Sequence, residues 1–180
     1  MTTGRAEKRQ RLFFALWPDE DVRCALEESA KQRLGKRVKR VPAENLHITL
    51  AFAGAVDAQQ RACLERAASA VRCPCFDLGI DRLGYWPKPR ILWAGPGNIP
   101  MESRALAGAL GQALAACGIE ADTRAWQPHI TLARKQNTAP AGEEFPPIHW
   151  SISRFSLVES VTDPAGVRYC VLRTWALGSE

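Results

Sequence analysis

Histidine is scarce in this chain, with only His47, His129 and His149 among 180 residues. The six cysteines are scattered, and only Cys73 and Cys75 lie close, at a spacing unlike the two-residue gap of zinc and redox pairs. With no His/Cys cluster at ligand spacing, the sequence implies no metal and no cofactor, and all six thiols are expected to be reduced and mostly packed. No stretch approaches the roughly 20 consecutive apolar residues of a membrane span. The early run Leu12 to Trp17 is too short for a signal-peptide core. No membrane association is expected, and the expected location is cytoplasmic.

What is present suits one sizeable domain, or two small lobes sharing a core: 46% of residues are hydrophobic. Lys and Arg outnumber Asp and Glu by 24 to 19, with part of the excess in Arg5 to Arg11 and in Lys36 to Arg40. Such runs form either a solvated surface or a positive rim that draws in a polyanion such as RNA, an attraction that salt weakens.

Residues 1–10 are polar and expected to be disordered, ahead of a domain spanning 11–180. Arg11 to Leu16 reads as a strand stopped by Trp17-Pro18. Asp19 can cap a helix from Glu20 to Leu34, where Val22, Leu26 and Ala30 recur at four-residue spacing before Gly35. His47 to Phe52 reads as a strand ending at Gly54, and Asp57 to Val71 as an amphipathic helix. Phe76 to Leu83 and Ile91 to Ala94 look like paired strands flanking a turn at 84–89. Gly95 to Asn98 is the expected crossing between halves. A helix from Glu102 to Cys117 follows, then a strand at His129, a loop from Gln136 to Pro147, and strands Trp150 to Glu159 and Val167 to Leu177.

The string His-Ile-Thr-Leu-Ala occurs twice, at His47 to Ala51 and at His129 to Ala133. Side chains alternate along a strand, so His47 and Thr49 share one face, as do His129 and Thr131, while Ile and Leu point the other way. Two halves related by an approximate two-fold axis would bring two imidazoles and two hydroxyls together. In-line phosphodiester cleavage needs an acid and a base on opposite sides of phosphorus, and the Thr hydroxyls can donate to its non-bridging oxygens. Arg134, just past the second copy, is the obvious cation. Packing alone requires only the apolar alternation and is indifferent to which polar pair fills the other face, so repetition of both His and Thr points to function. Phe13, Phe14 and Trp126 could stack on a base or fill the core. His149, with no Thr two residues later, is assigned to the surface or the start of a strand.

Paired His-x-Thr-hydrophobic motifs resemble those of the two-histidine (2H) phosphoesterase superfamily. Arg11-Leu12-Phe13-Phe14-Ala15, Asn45 to Gly54, Pro89 to Gly95 and Pro128 to Arg134 are similar to segments of its RNA 2',3'-cyclic phosphodiesterase family, historically called 2'-5' RNA ligases of the LigT type. The resemblance extends from Arg11 to Leu177. It implies an α+β, bilobal fold, each lobe an antiparallel sheet with outer helices, with a cleft between lobes. It also implies metal-free opening of a terminal 2',3'-cyclic phosphate on RNA to a 2'-phosphate, with reversible 2'-5' ligation in some members; separately, the chain is expected to be a monomer. Carried over by motif, His47 is the proton donor and His129 the proton acceptor, Thr49, Thr131 and Arg134 bind phosphate, and Phe14 offers a base-stacking surface. The rival readings are a non-catalytic RNA-end binding module and a phosphodiesterase acting on small 2'-5'-linked oligonucleotides.

Overall fold

Leu12, Phe14 and Leu16 are fully buried on one face of the first strand, while Phe13 and Ala15 pack into a separate, smaller apolar cluster on the other. This strand therefore sits inside the sheet, with the main core on one face and a small aromatic cluster on the other. The computed structural model describes residues 9–34, 38–139, 142, 144–164 and 166–178. In chain order its elements are β1 Gln10–Leu16, α1 Glu20–Leu34, a 3-10 turn Ala43–Asn45, β2 Ile48–Val56, α2 Ala58–Ser69, β3 Phe76–Trp86, β4 Ile91–Pro96, α3 Met101–Ala116, β5 Ile130–Arg134, β6 Glu144–Ile152, β7 Arg154–Asp163 and β8 Gly166–Ala176. The strands form one antiparallel sheet in the order β6-β3-β4-β5-β2-β1-β7-β8, so the fold is α+β as expected.

The sheet consists of two four-stranded groups, β2-β1-β7-β8 and β5-β4-β3-β6, paired to each other among the described residues at Ile48 and Ile130. β1-α1-β2 and β4-α3-β5 are corresponding units that each end in a copy of the repeat. The crossing expected at Gly95 to Asn98 is therefore misplaced. The chain enters the second group at β3, directly after α2, and returns to the first at β7. Helices cross over as well, since α1 packs on β6 and α3 on β2.

Local signals account for the helices. The Asp19 carboxylate accepts from the Val22 amide at 3.0 Å, and Val22, Leu26 and Ala30 are buried. Gly35 lies outside the described residues. Asp57 and Gln60 form a reciprocal capping box at the start of α2. Leu106, Leu110 and Leu114 are buried along α3, which stops at Gly118 with φ +69°. Of residues 1–10, the first eight lie outside the described residues, and Gln10 already belongs to β1.

Several boundaries differ from expectation, because ladder partners override local turn signals. β2 runs through Gly54 to Val56, and β3 and β4 stay paired as far as Trp86 opposite Ile91, which leaves only 87–90 as the turn. β6 begins within the expected loop. It tolerates Pro146 and Pro147 because it is an edge strand whose register jumps from Ile148 opposite Ile80 to Glu144 opposite Arg82. β6 and β7 are separate strands where one had been read. Cys63 and Cys117 form a disulfide tying α2 to the end of α3, so the six thiols are not all free. These two cysteines are 54 residues apart and meet only because the helices pack together.

Candidate active site

His47 and His129 each stand one residue before the first ladder residue of β2 and β5. Ile48 and Ile130 pair directly and are both fully buried. Continuing this antiparallel register by one residue each way sets His47 opposite Thr131 and Thr49 opposite His129, on the face turned away from the isoleucines. All four side chains are half-buried. Just outside the ladder, each imidazole bonds backward to its own chain in the same manner. His47 Nδ1–H donates to the Asn45 carbonyl at 2.7 Å, and His129 Nδ1–H to the Gln127 carbonyl at 2.9 Å. A carbonyl only accepts, so the tautomer follows, and Nε2 is left as the working nitrogen of both rings.

Aromatic walls enclose the rings. Trp17 stacks on His47 at 5.3 Å and 9°, Phe13 lies at 5.0 Å, and Tyr169 from β8 meets it edge-on at 4.9 Å. Trp86 meets His129 edge-on at 4.5 Å and is itself backed by Trp93 at 5.3 Å. Trp93 has room only because its pairing partner is Gly84, where a Cβ would sit 2.1 Å from the indole. Sequence reasoning missed Trp17, Trp86, Trp93 and Tyr169. The one available signal was that Trp17 and Trp86 both precede proline, which had been read as punctuation.

Phe14 does not serve as a stacking surface. It is 0% exposed and packs against Phe155 and Trp175 in the main core, because strand parity gives the histidine face to Phe13. Trp126 is occupied as well, its Nε1–H donating to the Thr49 carbonyl at 2.9 Å and so joining the approach to β5 to β2. His149 is exposed on edge strand β6, 3.7 Å from Asp77 and away from the repeat strands.

Arg134 would face the core if β5 simply alternated from Ile130. It does not, because pairing with β4 shifts by one residue at Leu132: Thr131 lies opposite Trp93, Ala133 opposite Leu92 and Arg134 opposite Ile91. The extra residue reverses parity and turns Arg134 to the side of Thr131 and Trp93. Burial holds the His47 pKa down to about 4, with the charges of His129 and Arg134 adding to the effect and the Asn45 bond opposing it. His129 is lowered for the same main reason, burial, with Arg134 contributing and the Gln127 bond opposing. Both imidazoles are therefore neutral at pH 7 in the free protein. Among the described residues, no group of three or more His, Cys, Asp or Glu is placed to hold a metal ion.

The end of the basic run closes onto this region: Arg40 bridges Ala133, and the Val41 amide donates to the Leu132 carbonyl at 2.7 Å. Lys36 and Arg37 lie outside the described residues.

Residues 18–164 match the model of the 2'-5' RNA ligase superfamily. The RNA 2',3'-cyclic phosphodiesterase of Escherichia coli K12 is 34% identical over 173 residues, covering 93% of this chain and 97% of that protein. Its namesake in Thermus thermophilus is 32% identical over 187 residues, covering 94% and 91%. The crystal structure of E. coli LigT complexed with 3'-AMP superposes with a TM-score of 0.86 at 32% identity, covering 95% of this chain and 99% of that one.

Proposed function

The chain belongs to the 2'-5' RNA ligase superfamily, and from that premise we propose that it hydrolyses a terminal 2',3'-cyclic phosphate on RNA to a 2'-phosphate, using His47 and His129 as an acid–base pair. The observation that carries this reading is the register through Ile48 and Ile130, which offers two His/Thr pairs to one bound group. It is further supported by the phosphodiesterase relatives over nearly the whole chain.

With the cyclic phosphate over these pairs, His129 Nε2 takes a proton from water as its oxygen attacks phosphorus. The bond to the 3' oxygen breaks, and His47 Nε2 delivers its proton to that oxygen. Thr49 and Thr131 hydroxyls donate to the non-bridging oxygens, and the Arg134 guanidinium balances their charge. The donor and acceptor roles follow the family resemblance. Burial leaves His47 unprotonated in the free protein at neutral pH, and an anionic phosphodiester beside it favours the imidazolium, so the acid is charged together with substrate binding. The site needs residues of a single chain only, which suits a monomer acting on cytoplasmic RNA.

The test is incubation with an RNA ending in a 2',3'-cyclic phosphate, with the product identified by phosphorus NMR. A 2'-phosphate is expected. A 3'-phosphate would mean that the other oxygen leaves and would overturn the assigned roles.

A further inference from the structure

The two histidines share the same backward bond to their own chain but stand between different walls. His47 lies among three aromatic rings, with the Trp17 indole parallel to it at 5.3 Å and 9°, Phe13 at 5.0 Å and Tyr169 edge-on at 4.9 Å. Among the described residues, His129 meets one ring, Trp86, and meets it edge-on. Strand parity builds the first wall. Phe13 and Ala15 share a face of β1, and Trp17, one residue past the pairing of Leu16 with Ile48, continues that face and falls beside His47. Pro18 follows, and a residue before proline is held to extended backbone, which keeps the indole on this face at the entry to α1. Tyr169 also meets Phe13 and Trp17 edge-on and so braces the cluster from β8.

Such a wall acts on an imidazole in two opposite ways. It excludes water, which penalises the imidazolium and lowers the pKa. It also presents π faces, whose negative quadrupole attracts a cation, most strongly a desolvated one. An aliphatic wall would supply the first effect alone. The charges that reach His47 come from His129 and Arg134 on β5, and both oppose its protonation, while the Asn45 carbonyl favours it. Tyr169 from β8 is the other titratable side chain at the ring, and it approaches through its own ring.

We infer that Trp17 is a positioning residue that makes His47 the acid of the pair, its parallel π face holding the imidazolium in a dry site once the cyclic phosphate is bound. This inference rests on the phosphodiesterase reading above and gives the donor role a cause in this chain's own residues. The ring that lies on the indole keeps its Nε2 proton until the 3' oxygen departs and takes it. The ring without a parallel partner stays neutral and accepts the proton of water.

The experiment separates the π face from the exclusion of water by the sign of a shift. Trp17→Leu keeps an apolar wall and removes the face, whereas a fluorinated tryptophan introduced at position 17 keeps the shape and draws electron density out of the ring. In NMR titrations of the free protein, both should move the His47 midpoint to lower pH, by up to about one unit for Trp17→Leu, while His129 stays in place. Trp17→Phe should fall between Trp17→Leu and the wild-type protein. If the indole only keeps water out, Trp17→Leu admits water and the midpoint rises toward the ordinary histidine value. A rise, or a midpoint unmoved in either variant, overturns the inference. On a mononucleoside 2',3'-cyclic phosphate at neutral pH, Trp17→Leu should lower kcat about threefold to tenfold with KM within about twofold, and an unchanged kcat would also overturn it. Should Trp17→Leu fail to fold, the fluorinated chain decides both measurements. Should the wild-type protein not turn over the cyclic phosphate, the phosphodiesterase reading fails by itself, and the titration still decides whether the indole holds the imidazolium.

Discussion

Phe52 and Arg134 occupy the same place in the two copies of the repeat. Each lies three residues beyond the threonine and is turned to the histidine face by a one-residue shift in pairing at the intervening leucine, Leu50 or Leu132. The backbone device is common to both halves, and only the side chain differs. A shared strand geometry thus delivers an aromatic on one side and a cation on the other.

Replacing His47 or His129 by Ala is expected to lower kcat/KM on a cyclic phosphate by about a hundredfold to ten-thousandfold, and the double variant should lose little more if the two act as one unit. Steady-state assays, with circular dichroism to verify folding, provide the measurement. Near-normal turnover in either single variant would remove that residue from the chemistry.

Both histidine pKa values are lowered in the free protein, His47 to about 4. The acid needs His47 protonated, a population that falls as pH rises above about 4. The base needs neutral His129, a population that grows as pH rises through its lowered value. The kcat/KM profile should therefore be a bell centred on the acid side of neutrality, with the kcat bell displaced upward because bound phosphate favours imidazolium. A profile flat from mildly acidic to basic pH would contradict the pair.

The same shift carries a stability consequence. The unfolded chain binds a proton at the ordinary histidine value, near 6.5, that folded His47 declines until about pH 4. Stability therefore rises with pH across that window, is fully present above it and is lost as pH falls through it. The His47→Gln variant should lose less Tm between pH 6.5 and 4 than the wild-type protein does, as read by thermal melts in matched buffers.

Arg134 lowers both histidines by its charge. Arg134→Gln should accordingly raise both pKa values in NMR titrations of the imidazole carbons while weakening turnover by roughly tenfold to a hundredfold. Unmoved titrations would show that the guanidinium does not reach the pair.

Alkylation in denaturant without reductant should label Cys24, Cys73, Cys75 and Cys170 and spare Cys63 and Cys117. Reduction should lower Tm, because the bond closes a long loop whose cross-linking is worth about 2–4 kcal/mol. Mass spectrometry of the alkylated protein and a melt with and without dithiothreitol check both outcomes.

Much of the fold was legible in local pattern. The apolar run Arg11 to Leu16 marks a strand, Leu106, Leu110 and Leu114 recur at helical spacing, and Asp19 and Asp57 mark helix starts, because each of these signals acts within a few residues of itself. The strand ends at Gly54, Trp86 and Glu144 were misread for the opposite reason. Whether a glycine or proline ends a strand depends on the partner strand, which lies elsewhere in the chain.

The sequence by itself determined the doubled His/Thr pattern and the apolar alternation that seats it, since a period of two residues is written directly in the order of side chains. Only the tertiary structure decided which side chains join those pairs. Parity is reset wherever an extra residue enters a ladder, and that depends on the neighbouring strand. Hence Arg134 and Phe52 turn to the histidine face, Phe13 replaces Phe14 there, and Trp17, Trp86 and Tyr169 close in from distant segments.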